Sequence, residues 1–141
     1  MRYFDTSALI PYYRPEPLSD QVQALLLASG DDPVCLSFLT ETEFASALGR
    51  LVRMGELKNE EAAKIQAAFM EDIRRGCYQV LELHREHFHL ARDWLCTQKT
   101  ALRTLDALHL AAAALAEAEL VTADEVMAKA AQHFSVPALL L

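Results

Sequence analysis

Apolar residues along this chain alternate between two arrangements, compact short runs and stripes spaced for one face of a helix. Arg2-Tyr3-Phe4 predicts an opening strand, and Asp5-Thr6-Ser7 directly after it supplies small polar residues that end a strand and start a helix. Pro11, Pro15 and Pro17 are expected to limit that first helix. Leu18, Val22, Leu25 and Leu26 form the next helical stripe, which Gly30-Asp31-Asp32-Pro33 stops in a turn. Val34-Cys35-Leu36-Ser37 predicts a second strand, and Phe44, Leu48, Leu51 and Val52 a helix entered through Thr40-Glu41-Thr42-Glu43.

The next helix runs from about Asn59 to Arg75, with Ala62, Ile65, Phe69 and Ile73 on one face and Gly76 placed to end it. Tyr78 to Leu83 predicts a strand and His84 to about Lys99 a helix. Thr104 to Ala118 is helical in composition, with Leu105, Leu108, Ala112 and Leu115 on one side. Glu119 to Thr122, Asp124 to Phe134 and Val136 to Leu141 close the chain as strand, helix and strand. Strands separated by helices imply right-handed crossovers into one sheet covered on both faces. The expected fold is therefore of the α/β class, a three-layer α/β/α sandwich around a central, mostly parallel sheet. A length of 141 residues suits a single domain over residues 1–141, and 52% apolar against 23% charged residues excludes a disordered chain.

In such folds ligands bind beyond the carboxyl ends of the strands, where connections diverge to opposite faces. Asp5 and Asp124 fall at that end of predicted strands, and Glu43 and Asp106 near helix starts, so one cleft can collect all four. Singly each has an ordinary role: Asp5, Asp106 and Asp124 suit helix N-termini, and Thr40 with Glu43 spells the T-x-x-E of a capping box. Jointly they would repel unless protons or a hard cation compensated them. An all-oxygen set suits Mg²⁺ or Mn²⁺, which can activate water and polarise a phosphodiester. Glu41 competes with Glu43, because residues two apart on a helix point in different directions and the apolar stripe does not choose between them.

The remaining chemistry is sparser. A formal charge of −7 argues against a nucleic-acid coat protein with a basic face, but not against a nuclease that borrows positive charge from metal. Arg14, Arg50, Arg53, Lys58, Lys99 and Arg103 are candidate phosphate contacts, Arg103 foremost because it precedes the segment carrying Asp106. His109 is expected to be packed or hydrogen-bonded rather than catalytic, and His84, His87 and His89 to lie on a partly solvated helix. Cys35, Cys77 and Cys96 form no C-x-x-C pair and are expected as reduced, mostly buried thiols. No phosphate-binding glycine loop occurs, and no D-x-D follows Asp5 to suggest a phosphoryl-accepting aspartate. The chain shows neither a membrane-length apolar run nor a secretory leader, so a cytoplasmic location without membrane contact is expected.

Four segments carry a family resemblance: Tyr3-Phe4-Asp5-Thr6-Ser7-Ala8-Leu9, Leu39-Thr40-Glu41-Thr42-Glu43-Phe44, Leu102-Arg103-Thr104-Leu105-Asp106-Ala107-Leu108-His109-Leu110-Ala111 and Leu120-Val121-Thr122-Ala123-Asp124. In this order they resemble the PIN-domain family, most closely its VapC-type toxin ribonucleases. The resemblance implies that Asp5, Glu43, Asp106 and Asp124 hold one or two Mg²⁺ or Mn²⁺ ions for RNA hydrolysis, with Thr6, Ser7 and Thr122 orienting carboxylates or water. It favours Glu43 over Glu41. It implies a metal-dependent endoribonuclease, the toxin of a type II toxin–antitoxin pair, with RNA, a cognate antitoxin and a second copy of itself as partners. Arg14 and Arg103 are then the residues expected to meet RNA. A catalytically weak RNA-binding or protein-interaction domain of the same fold is the alternative. The RNA target is not written in these motifs, since selectivity resides in loop shape and displayed bases.

Overall fold

A computed structural model describes residues 1–30 and 32–141, so Asp31 of the expected Gly30–Pro33 turn lies outside the described residues. Five strands, β1 (Arg2–Phe4), β2 (Val34–Ser37), β3 (Gln79–Leu81), β4 (Glu119–Thr122) and β5 (Ala138–Leu140), form one sheet in the order β3-β2-β1-β4-β5. Every pair is parallel. The helices are α1 (Thr6–Tyr13), α2 (Ser19–Ala28), α3 (Phe38–Arg53), α4 (Asn59–Arg74), α5 (Arg85–Cys96), α6 (Thr104–Leu115) and α7 (Glu125–His133).

Strand side chains alternate between faces, and the inner strands divide the core accordingly. Tyr3, Cys35 and Leu120 pack with α5, α6 and α7, whereas Phe4, Leu36 and Val121 pack with α1 to α4. The three-layer sandwich follows directly from that alternation. Connections from β1 and β2 run over one face and the connection from β3 to β4 over the other, so the order reverses between β1 and β4. That reversal opens a crevice at the carboxyl ends of these two strands. No helix among the described residues is long and apolar enough to cross a membrane.

Local chemistry departs from expectation at several points. Pro11 lies inside α1 rather than at its end, and the helix stops at Tyr13, before the extended Arg14 and Pro15. β2 runs straight into α3: Ser37 is the N-cap, and its backbone N–H donates to Thr40 Oγ1 at 3.3 Å. Glu43 therefore stands beyond the first turn, and the expected capping box between Thr40 and Glu43 does not form. Gly76 ends α4 as expected, at a φ of 76° that favours glycine. α6 is buried on all sides from Ala107 to Ala113, while Leu105 and Leu115 are exposed, so its one-sided stripe is replaced by a helix enclosed in the core. Of the cysteines only Cys35 is buried; Cys77 and Cys96 are exposed, contrary to expectation. His87 is buried with its Nδ1 accepting from the His84 backbone N–H at 3.0 Å, which makes it a helix cap rather than a solvated residue.

Candidate functional site

The turn from β1 into α1 places Asp5 at the crevice. Its carboxylate caps α1 by accepting from the Ala8 N–H at 2.9 Å through Oδ1. Ser7 Oγ donates to the same oxygen at 2.8 Å, and Thr122 Oγ1, at the end of β4, donates to Oδ2 at 2.6 Å. The two hydroxyls are themselves held, Ser7 Oγ by the Ala123 N–H at 2.9 Å and Thr122 Oγ1 by the Asp124 N–H at 3.0 Å. Asp5 is only 2% exposed. Burial pushes its carboxyl above the ordinary value, and the donors from Thr122, Ala8 and Ser7, with the nearby His109 ring, pull the other way.

Glu43 projects from the second turn of α3. Thr6 Oγ1 donates to its Oε2 at 2.7 Å, and His109 Nε2 makes a short contact of 2.5 Å with the same oxygen. Burial works to raise this carboxyl, but the His109 hydrogen bond and charge and the Thr6 hydroxyl outweigh it, so it is held below the usual carboxylate range. His109, on α6, is itself 1% exposed, its ring set against that of Tyr3 from β1. Its Nδ1 meets the Tyr3 hydroxyl at 2.7 Å, and that hydroxyl meets Ser37 Oγ at 2.8 Å. Burial raises the Tyr3 phenol, so it stays protonated.

Asp106 and Asp124 complete the wall. Asp106 sits in the first turn of α6 and accepts from the Arg103 backbone N–H through Oδ2 at 3.4 Å. Burial raises its carboxyl, the Arg103 N–H opposes this, and the charges of Asp124 and Glu43 raise it further. Asp124 caps α7, its Oδ1 accepting from the Val126 and Met127 N–H groups at 2.7 and 3.1 Å.

All four acids line one cleft of about 480 Å³, together with Thr6, Ser7, Ser46, Arg50, Arg53 and His109. Glu43 faces it and Glu41 does not. Three of the carboxylates share a pattern, each committing one oxygen to the protein's own donors and keeping the other in reserve, whereas both oxygens of Asp5 accept. Glu43 Oε1, Asp106 Oδ1 and Asp124 Oδ2 have no donor among the described residues, and Asp5 Oδ2 has one. Among the described residues no three such side chains are already gathered about one ion position. Like charges without a counter-ion hold apart, and Asp106 and Asp124 turn toward their helix N-termini. The donor set nevertheless fits a hard divalent cation, because it is all oxygen and negative, and the arginines that line the cleft with it, Arg50 and Arg53, form no ion pair with any of the four acids among the described residues.

The cations divide differently from expectation. Neither Arg14 nor Arg103 lines the cleft. Arg14 is bound to Glu16 at 2.7 Å and Glu56 at 3.4 Å, and Arg103 stands exposed ahead of α6. Arg50 and Arg53 line it from α3, seven and ten positions after Glu43, and neither makes an ion pair among the described residues. Gly49 gives Arg53 room, since a Cβ there would stand 3.3 Å from its guanidinium. Sequence reasoning missed Tyr3 and Ser37 as part of the site; an aromatic in an opening strand carries no signal beyond core packing.

A sequence model of the PIN domain matches residues 2–132. No curated protein matches this chain in sequence. Among solved structures, FitAcB from Neisseria gonorrhoeae superposes with a TM-score of 0.71 at 20% identity, covering 99% of this chain and 96% of that one. VapC20 from Mycobacterium tuberculosis, described as a sarcin-ricin loop cleaving toxin, gives 0.71 at 17% identity, covering 92% and 95%. A toxin–antitoxin complex from Klebsiella pneumoniae gives 0.60 at 17% identity, covering 91% of each chain. With the family model spanning nearly the whole sequence and these neighbours sharing the fold, the chain belongs to the PIN-domain family.

Proposed function

We propose that this protein is a Mg²⁺- or Mn²⁺-dependent endoribonuclease, the toxin of a type II toxin–antitoxin pair. The observation that carries the reading is the gathering of Asp5, Glu43, Asp106 and Asp124 on one cleft, where Glu43, Asp106 and Asp124 each keep one oxygen without a donor among the described residues and Asp5 is held by donors on both. These residues would hold the ion. When bound, it lowers the pKa of a water nucleophile and offsets charge on the scissile phosphodiester. The chain's own groups set the stage: Ser7, Thr122 and the Ala8 N–H fix the Asp5 carboxylate, while Thr6 and His109 fix that of Glu43.

Arg50 and Arg53 supply positive charge on the α3 wall, where phosphates flanking the reacting one can be held. Arg103 can extend that track from outside the cleft, whereas Arg14 must first give up Glu16 and contributes less. The toxin reading draws on the similar toxin structures: an antitoxin would cover this cleft, and two copies would pair through exposed apolar residues such as Phe38 and Phe88.

The test is direct. Purified protein freed of any antitoxin is expected to cut RNA with Mn²⁺ or Mg²⁺ and to stop when EDTA is added. Cleavage that persists in chelator rejects the metal mechanism, and RNA binding without cleavage under any divalent ion leaves a binding domain in its place.

A further inference from the structure

Two donors converge on one oxygen of Glu43. Thr6 Oγ1 and His109 Nε2 both reach Oε2, and Oε1 has no donor among the described residues. A carboxylate saturated on one oxygen in this way cannot swing to present both, so it offers the cleft a single oxygen in a fixed direction. The Thr6 donor is part of the cleft wall. The His109 donor is anchored from behind by a chain of buried groups that do not touch the cleft at all.

That chain runs from α6 through β1 to the end of β2. His109 Nδ1 pairs with the Tyr3 hydroxyl at 2.7 Å, and Tyr3 pairs with Ser37 Oγ at 2.8 Å. Tyr3 and Ser37 are fully buried. Three linked polar groups inside a core are costly unless each is satisfied, and a phenylalanine, an apolar residue and an alanine would pack in their places at less risk. Because a carboxylate only accepts, Nε2 must be the donor, whichever charge the ring carries. Tyr3 completes the arrangement by fixing the ring's other nitrogen and hence its plane.

We propose that His109, locked by Tyr3 and Ser37, is a positioning residue that clamps Glu43 Oε2 and thereby aims Oε1 at the divalent ion. This rests on the metal-site reading above. It assigns a role in the site to a histidine that acts through Glu43, and to a tyrosine two residues before Asp5.

The experiment measures Mn²⁺ affinity of the folded protein by calorimetry, alongside ring ¹⁵N shifts of His109 without metal. His109→Leu removes the donor and is expected to weaken Mn²⁺ binding by about 10- to 100-fold, the range found when a group supporting a metal ligand is lost. His109→Gln, which keeps an N–H able to reach Oε2, is expected to retain most of the affinity. Tyr3→Phe is expected to fall between them. The parent's ¹⁵N spectrum should show a protonated Nε2. A merely structural role would lower stability in all three variants without ordering their Mn²⁺ affinities, and that result overturns the proposal. A deprotonated Nε2 overturns it as well, and is read on the parent even if His109→Leu fails to fold. Glu43→Gln separates this inference from the reading beneath it: if Glu43→Gln binds Mn²⁺ like the parent, the metal site itself is wrong, whereas loss there with none in Tyr3→Phe and His109→Leu refutes the clamp alone.

Discussion

The turns that lead from β1 into α1 and from β4 into α7 are built alike and behave oppositely. In each, an aspartate one or two residues past the strand caps the next helix, Asp5 through the Ala8 N–H and Asp124 through the Val126 and Met127 N–H groups. Asp124 is half-buried and leaves Oδ2 free, so its charge costs little and complements the helix dipole. Asp5 is almost wholly buried, and the hydroxyls of Ser7 and Thr122 and the Ala8 N–H compensate its charge only in part. The same local device therefore stabilises the fold at one strand end and stores charge against the fold at the other. The divalent ion proposed for the cleft would offset that charge at the turn from β1 into α1.

Asp5→Asn breaks that contrast most strongly. Activity is expected to fall by about 100-fold or more, since losing even a group that supports a ligand costs 10–100-fold. Stability of the metal-free protein is expected to move the other way. With its folded-state pKa raised, Asp5 binds more protons in the folded than in the unfolded state as pH rises from the ordinary value of 3.8, so its contribution to stability falls through that window and stays low at neutral pH. The Asn variant escapes this loss. Its melting temperature without metal should exceed the parent's at neutral pH, and the gain should vanish well below pH 3.8, where Asp5 is protonated in both states. Glu43 has the opposite sign: its lowered pKa contributes stability above the ordinary 4.5 that is lost as pH falls. A neutral-pH melt in which Asp5→Asn is less stable than the parent would show that the hydroxyls compensate Asp5 fully.

At the other turn, function and stability should separate by choice of substitution. Asn caps helices about as well as Asp, so Asp124→Asn is expected to stay within about 0.5 kcal/mol of the parent in denaturant unfolding. Its metal-dependent cleavage should still drop by about tenfold or more if Oδ2 is a ligand, because the amide nitrogen that replaces an oxygen cannot bind a hard cation. Asp124→Ala should lose both activity and about 1 kcal/mol of cap. Equal activity in parent and Asp124→Asn would make this residue a cap and nothing more.

Strand–helix alternation, the parallel sheet and the collection of four acids at one edge follow from residue order, because short apolar runs and crossover handedness leave few arrangements. Which acid faces the cleft did not follow from the stripe: Thr40 and Glu43 match a capping box, and only the entry of β2 directly into α3, with Ser37 as N-cap, moves Glu43 into the second turn. The end of α6 was hidden for a related reason, since Glu117 takes a φ of 52° there without the glycine that usually marks such a stop. Tyr3 and Ser37 were illegible because their partners lie 106 and 34 residues away in sequence, joined only by packing of α6 against β1 and pairing of β1 with β2. Arg50 and Arg53 stood among six candidate phosphate contacts with nothing in the sequence to rank them above Arg14 and Arg103, until α3 carried them to the cleft beside Glu43.

The smallest expected effect concerns those arginines, and it sharpens the contrast between the acidic floor of the cleft and its basic wall. With cleavage silenced by Asp5→Asn, single-stranded RNA binding can be followed as salt is raised. Each phosphate contact on a single strand contributes about 0.7 to the slope of log affinity against log salt. Arg50→Gln and Arg53→Gln should each reduce the slope by about 0.7, and the double variant by about 1.4. Such losses are uniform across RNA sequences, because a guanidinium on a phosphate orients the polymer without reading its bases. A slope unchanged in the double variant would return both residues to the solvated surface and leave Arg103, outside the cleft, as the remaining cation close to Asp106 in sequence.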